Sequence, residues 1–187
     1  MTNPLFDRAT PLGLARAGQV IECTAELQRL VRLAAAVEAD LAGLAGPDRP
    51  TAWRQVPVSI RLRFGFADAA DRVPVVVGAA SAAVAAVCQR CLECFELPLV
   101  ADFGYVLQAP DESAPELTGY DAWELGELAV RPVDLVDEAL LMAWPLAAAH
   151  GSSTECGPLA RRLAIETEDK VHPFADLKAK LERANKE

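Results

Sequence analysis

The sequence predicts an α+β fold: an antiparallel sheet from the middle of the chain, able to close into a barrel, with helices on its flanks. Three observations support this fold class. Residues 56–64 alternate apolar and polar side chains, which is the period of a half-buried strand. Residues 27–44 and 134–143 repeat apolar side chains at helical spacing. A Cys-x-x-Cys motif lies between two extended segments, where a hairpin tip is expected.

The length of the chain predicts one domain over residues 1–187, because a chain of 187 residues can bury one substantial core. The first residues lack the continuous apolar stretch of a secretory signal. The longest uncharged run, residues 73–89, is shorter than the roughly 20 residues of a spanning helix. We therefore expect a cytoplasmic protein without membrane association, whose cysteines stay reduced.

The net charge of −9 opposes nonspecific binding to nucleic acid, which depends on clustered lysine and arginine. The charge is unevenly distributed, since residues 109–128 are acidic and contain no lysine or arginine. Any contact with RNA then requires a local basic patch elsewhere on the chain.

The N-terminal third predicts one helix. Residues 1–20 contain prolines and glycines and predict an irregular lead-in. From Thr24 the spacing of apolar residues predicts an amphipathic helix, which the glycines and prolines of residues 43–50 end. Cys23, at the start of this helix, is assigned to packing.

The middle of the chain predicts the sheet. The strand at residues 56–64 places Arg61 and Arg63 on its outer face, and "DAADR" forms a turn. "VPVVVGAASAAVAAV" predicts one or two further strands with Gly78 as a turn or bulge, and "FELPLVADFGYVLQ" predicts the next. The cysteine motif lies between these two segments.

The last third predicts two helices. Residues 109–122 predict an acidic surface loop, after which "WELGELAV" returns as a strand. Asp134 is expected to cap a helix that Pro145 ends. Pro173 opens a short C-terminal helix.

The cysteine stretch "AVCQRCLECFELPL" offers a metal site. Cys88 and Cys91 form a Cys-x-x-Cys, which at a hairpin tip directs two thiolates to one tetrahedral zinc. Two more ligands are needed, and the candidates are Cys94, Cys156 and His150.

Four other cysteine chemistries and simple burial are alternatives to a zinc site. A thioredoxin-type pair would open a helix, whereas a strand follows here. Haem attachment needs a histidine directly after the second cysteine, where Leu92 stands. Four cysteines, Cys88, Cys91, Cys94 and Cys156, would suffice for an iron–sulfur cluster. A nucleophilic cysteine lacks a recognisable base. Burial as small hydrophobic side chains explains the motif as well as metal binding does.

Several motifs together resemble the YceD family, the large ribosomal RNA subunit accumulation proteins of bacteria. They are "CQRCLECFELPL", "VDLVDEALLMAWPLAAAH" with Cys156 shortly after its histidine, and "HPFADLKAKL" near the C-terminus. The resemblance extends from about Arg61 to Leu181. Two positions depart from the family pattern: Cys94 is not required by it, and His172 stands where asparagine is usual.

The resemblance implies a non-enzymatic cytoplasmic factor for 23S rRNA processing or accumulation, and so for biogenesis of the large ribosomal subunit. The partner would be the 23S rRNA precursor or a pre-50S particle, contacted directly or through a protein. A complete structural Zn²⁺ site in this chain would consist of Cys88, Cys91, Cys156 and His150.

Three modes of action remain open. Direct RNA binding would use guanidinium groups that hold phosphates, those of Arg61, Arg63, Arg90, Arg161 and Arg162. Alternatively, the acidic surface makes the protein an adaptor that docks a basic ribosomal protein or an rRNA-processing enzyme. A metal-dependent hydrolase or nuclease would need an acid or base beside an open coordination position, for which Glu93 or Glu96 are the candidates.

Overall fold

The fold is built on one five-stranded sheet in the spatial order β1-β2-β3-β4-β5. A computed structural model describes residues 3–44, 46–68, 70, 72–108 and 117–157. The strands are β1 (Val20–Glu26), β2 (Pro57–Phe66), β3 (Pro74–Val87), β4 (Cys94–Gln108) and β5 (Asp121–Glu124). The helices are α1 (Pro11–Arg16), α2 (Val31–Asp40) and α3 (Pro132–Met142).

The first four strands pair antiparallel, and β5 pairs parallel to the end of β4. The α+β prediction is therefore confirmed, with a mostly antiparallel sheet. The sheet is open in the part of the chain that the structure describes, so it does not close into a barrel. The predicted strand at 56–64 is β2, whose side chains alternate between buried and exposed along most of its length.

Helices cover one face of the sheet. The buried side chains of α2, Leu33 and Val37, share one core with Leu135, Val136 and Leu140 of α3. On the other face, the open face, Arg61 and Arg63 of β2 lie beside small side chains of β3. The open face thus stays accessible along β1 to β4.

The N-terminal prediction is partly wrong. Residues 20–26 form β1 and not the start of a helix, and the α-helix begins at Val31. Cys23 consequently lies within β1, paired with Ile60 of β2. The free edge of β2 explains the difference, because seven residues gain cross-strand partners by extending alongside it. The predicted lead-in at 1–20 also contains α1, which Thr10 caps through its hydroxyl.

Gly78 is neither a turn nor a bulge, since β3 runs unbroken from Pro74 to Val87. A Cβ atom at this position would lie 2.3 Å from Cζ of Phe103 and 2.8 Å from Cδ2 of Leu62. The glycine therefore makes room for an aromatic ring on the neighbouring strand.

Gly78→Ala is expected to lower the free energy of unfolding by about 1–3 kcal/mol, because Phe103 and the fully buried Leu62 would have to move. Urea denaturation measures this change. Gly65→Ala is the matched control, since nothing lies within 4 Å of a Cβ at that position in β2. Equal stability of the two variants would contradict the packing role of Gly78.

The helix predicted near 134–143 is α3, but its N-cap differs from the prediction. Arg131 is the N-cap residue, Pro132 opens the helix, and no side chain caps it. Asp134 instead forms an ion pair with Arg131. A proline at the first helical position removes one amide that would otherwise need a partner, so this helix can begin without a side-chain cap.

Several predictions fall partly or wholly outside the described residues. The acidic loop at 109–122 is described only from residue 117 onward, and the helix at Pro173 is not described. The single-domain organisation stays a prediction. None of the described helices has the length and apolar character needed to cross a bilayer.

Candidate metal centre

The hairpin tip between β3 and β4 brings two cysteines together. The amide of Cys88 donates to the carbonyl of Glu93 at 2.9 Å, and the amide of Leu92 donates to the carbonyl of Cys88 at 2.8 Å. Leu92 adopts a left-handed backbone conformation with φ of 59°. This conformation costs a branched side chain about 1–2 kcal/mol, so the surrounding hydrogen bonds must hold the tight turn. The turn places Cys88 and Cys91 on the same side.

The segment after α3 folds back over this tip. The amide of Gln89 donates to the carbonyl of Ala148 at 2.8 Å, and the Arg90 guanidinium donates to the carbonyl of His150. A short turn at Ser153–Glu155, closed by a capping box, then leads to Cys156. The backbone carbonyls of Ala148 and His150 are thus fixed to the tip, which orients the rest of the segment.

Four potential ligands converge at this junction. The ligand atoms of Cys88, Cys91, His150 and Cys156 all lie within 4.8 Å of one another. The Sγ atoms of Cys88 and Cys156 are 4.0 Å apart. Nδ1 of His150 lies 3.6 Å from Sγ of Cys91 and 3.7 Å from Sγ of Cys156.

The separations of 4.0, 3.6 and 3.7 Å are close to the edges of a zinc tetrahedron. With bonds of about 2.3 Å to sulfur and 2.0–2.1 Å to nitrogen, ideal tetrahedral geometry gives edges of about 3.8 Å between sulfurs and about 3.6 Å between sulfur and nitrogen. Hydrogen bonds alone explain the arrangement poorly. Nδ1 of His150 offers either one hydrogen or one lone pair, yet two thiols approach it equally closely.

The cluster is enclosed. Cys88 and Cys156 have no exposed surface and Cys91 is 3% exposed, and together they form a small apolar cluster separate from the main core. The ring of Phe95 packs against the imidazole of His150 with centroids 4.7 Å apart. Three buried sulfurs and the partly exposed imidazole of His150 supply four protein ligands. Four protein ligands leave no open coordination position, which is the pattern of a structural and not a catalytic zinc site.

The electrostatics of the cluster favour one thiolate. Burial opposes ionisation of Cys88, but hydrogen bonds from the backbone amides of His150, Arg90 and Cys91 outweigh it and lower the pKa of the Cys88 thiol to about 5. Burial and hydrogen bonds with the neighbouring sulfurs raise the pKa of Cys156 to about 11. The protein alone thus stabilises one negative charge, and a divalent cation is what would allow further thiols to ionise.

The structure brings together all four residues of the sequence-predicted zinc set. It does not bring Cys94 to them: Cys94 begins β4 and packs against the main core. The four-cysteine set considered for an iron–sulfur cluster is therefore not assembled. Glu93 lies directly against Gly157, and Glu96 is exposed on β4.

The predicted RNA-binding arginines are dispersed. Arg61 and Arg63 lie on the open face, where Arg61 pairs with Glu22 at 3.0 Å. Arg61 lies opposite Ala79, and the eight residue steps from there to Val87 span about 26 Å along β3. Arg90 is thus far from the other two and already donates to a backbone carbonyl. Arg161 and Arg162 lie outside the described residues.

Asp40 also supports the tip, although it belongs to none of the motifs in the sequence. Its carboxylate accepts a hydrogen bond of 2.6 Å from the amide of Val87, directly before Cys88. Asp40 ends α2, where the negative end of the helix dipole disfavours a carboxylate. This unfavourable position is the one sequence signal that a distant partner exists.

Comparison with protein families gives one match. The family model described as "Large ribosomal RNA subunit accumulation protein YceD" matches residues 76–180, more than half of the chain. The matched region includes Cys88, Cys91, His150 and Cys156. Neither the curated proteins nor the solved structures yield a match.

Proposed function

The chain belongs to the YceD family, and from this premise we propose that it is a non-enzymatic factor for 23S rRNA processing and accumulation during large-subunit biogenesis. The family match is the observation that carries the proposal. The site of action would be the bacterial cytoplasm, where precursor rRNA is assembled into subunits. The enclosed four-ligand cluster supports a role without catalysis, because a catalytic metal keeps a position open for water or substrate.

We further propose that Cys88, Cys91, His150 and Cys156 bind one structural Zn²⁺. The tetrahedral edge lengths and the enclosure of the sulfurs support this assignment. The ion would join the hairpin tip to a segment about 60 residues later in the chain, so it would fix a long loop that is costly to close without a crosslink. Its contribution would be to hold that segment on the sheet.

A second candidate function is that of an adaptor that reaches the pre-50S particle through a ribosomal or rRNA-processing protein. Two observations favour it over direct RNA binding: the net charge is −9, and two of the three described candidate arginines already have partners, Glu22 for Arg61 and a backbone carbonyl for Arg90. An acidic surface attracts cationic proteins and repels free RNA.

Depletion of the protein in its bacterial host tests the main proposal. We expect a fall in the ratio of 23S to 16S rRNA and accumulation of 23S precursors, both measured by northern blotting and primer extension. An unchanged rRNA profile would contradict the proposed function. Cleavage of a 23S precursor by the purified wild-type protein, absent in Cys88→Ser, would contradict the non-enzymatic role.

Binding measurements separate the two modes of action. A double variant, Arg61→Glu with Arg63→Glu, changes the open face without disturbing Arg90, which holds the His150 segment. Loss of binding to a 23S precursor fragment at low salt would support direct contact. Support for the adaptor would come from two results. The double variant would recover as much rRNA as the wild type, and nuclease would remove this rRNA while a protein partner stays bound.

A further inference from the structure

Among the described residues, no strand lies beside the outer edge of β4 over most of its length. Within the described part of the chain, β5 pairs only with residues 105–108, at the very end of β4. Residues 100–104 of the remaining edge line one groove together with Ala139, Met142 and Ala143 at the C-terminal end of α3. A free strand edge carries unpaired amides and carbonyls and is a template for strand addition.

The register shows which backbone groups point outward. The Cys88 amide bonds the Glu93 carbonyl across the β3–β4 hairpin, and such bonded pairs recur every second residue in an antiparallel ladder. Val100 and Asp102 fall on the alternate positions, so their amides and carbonyls point away from β3. Gln108 lies an even number of positions from Val100 and Asp102, and its carbonyl accepts a bond from the Leu125 amide on the side away from β3. This bond supports the assignment of the outward groups.

The free edge forms the floor of a groove of about 570 Å³. Tyr120 lies on one side of the groove, and Ala139 and Met142 of α3 lie on the other. Met142 is 75% exposed and Val100 is 68% exposed, so apolar side chains flank the unpaired backbone. A strand placed in this groove would direct alternate side chains to the helix side and to the open face.

The charge of the groove selects its occupant. Asp102 and Asp121 line it, none of the described residues that line it is a lysine or arginine, and Glu96 is exposed further along the same edge. Cationic side chains on the open-face side of an added strand would lie near Asp102, and apolar ones on the other side would contact Met142. Pro98 lacks an amide, so pairing beyond it loses one hydrogen bond. Gly119 and Tyr120 lie against Gly104, so the useful edge is Val100 to Phe103.

We propose that the edge of β4 from Val100 to Phe103 binds an extended segment of a partner protein in which lysine or arginine alternates with apolar residues. The segment adds a sixth strand to the sheet. This inference rests on the proposed function, because it defines the type of partner that the adaptor would dock. A second copy of the chain would bring like charges together at this edge, and RNA would meet carboxylates, so charge disfavours both.

The first test uses a seven-residue peptide in which lysine and valine alternate, with the full-length protein at low salt. Isothermal titration calorimetry is expected to detect binding, and hydrogen exchange is expected to slow at the Val100 and Asp102 amides. Val100→Pro removes an outward amide and should weaken binding about tenfold or more. Thr24→Pro, the matched change on the edge strand β1, should leave the affinity within about twofold.

Several results would overturn the proposal: no binding of the peptide, equal weakening by both proline variants, or equal binding of a peptide that alternates glutamate and valine. A dimer that Val100→Pro dissociates in analytical ultracentrifugation would assign the edge to a second copy instead. In depleted cells, full restoration of 23S rRNA by Val100→Pro would refute the β4 interface and leave the proposed function intact. An unchanged rRNA profile on depletion would refute the proposed function itself.

Discussion

Replacing Cys88 with serine is expected to reduce the zinc content from about one ion per chain to none and to detach the His150 segment from the hairpin tip. Cys88 has no exposed surface, and it accepts hydrogen bonds from three backbone amides of the cluster. Serine offers a hydroxyl of much higher pKa and a harder oxygen donor, so a four-ligand site would become a three-ligand site. Elemental analysis of the purified proteins measures the loss directly.

Loss of zinc should also lower the stability of the folded protein, because metal binding and folding are thermodynamically linked. An ion that binds only the folded state contributes about 4 kcal/mol when its free concentration is a thousandfold above its dissociation constant. Treatment of the wild type with a chelator should therefore lower the melting temperature as far as Cys88→Ser does, and the chelator should have no further effect on the variant.

The cysteine cluster is separate from the main core, which predicts where the structure loosens. The sheet and its helices should persist without zinc, because their buried side chains do not depend on the cluster. Hydrogen exchange should accelerate at the Gln89 amide, which donates to Ala148 across the junction, and stay slow in β2.

Cys94→Ser is the matched control, since Cys94 is only six residues away in the sequence but belongs to the main core. It should keep full zinc content. A wild-type protein that holds no metal after purification under reducing conditions with added zinc would contradict the site. Equal zinc loss in both serine variants would show that the geometry assigns the wrong thiols.

Two elements of the fold have local signals in the sequence. The alternation at residues 56–64 predicted β2, and the Cys-x-x-Cys between two extended segments predicted the hairpin tip, because both patterns are complete within a few residues. The first helix was misplaced because its apolar residues fit two periods. Ile21, Cys23 and Ala25 alternate as in a strand, while the residues from Leu27 onward also follow helical spacing. The edge of β2, distant in sequence, decides between them.

The dispersal of Arg61, Arg63 and Arg90 has a related reason, and their contact with RNA stays a prediction. A sequence shows the sign of each charge but not the group that it pairs with. Here the partners are set by the register of the strands and by the segment after α3, which folds back on the hairpin tip. Glu22 lies opposite Arg61 because β1 pairs with β2 in one particular register. The His150 carbonyl reaches Arg90 because the segment after α3 folds back on the tip. Neither relationship leaves a pattern in the local sequence.

Replacing Asp137 with alanine is expected to lower the free energy of unfolding by about 3 kcal/mol, one of the largest effects of any single polar side chain in the described structure. Asp137 is a buried carboxylate on α3, 5% exposed. Its two oxygens accept the amides of Arg32 and Leu33, each at 2.8 Å. These amides belong to the first turn of α2, whose N-cap residue Leu30 provides no side-chain hydrogen bond.

The carboxylate thus caps a helix about 100 residues earlier in the sequence and also balances the positive end of that helix dipole. Its removal leaves the buried Leu33 amide and the partly buried Arg32 amide without an acceptor, which costs more than the net value of the bonds themselves. Asp137→Asn tests the charge separately. It keeps the shape but replaces one acceptor oxygen with a donor that faces an amide, so about half or more of the loss should remain.

Urea denaturation with Asp134→Asn as the control measures the effect. Asp134 lies one turn earlier on α3, is partly exposed and pairs only with Arg131, so its replacement should cost less than about 1 kcal/mol. The α2 helix also carries Asp40, which bonds the Val87 amide before Cys88, so loosening the start of α2 should weaken zinc binding without removing a ligand. Equal stability of the Asp137 and Asp134 variants would mean that water satisfies the α2 amides as well as the carboxylate does.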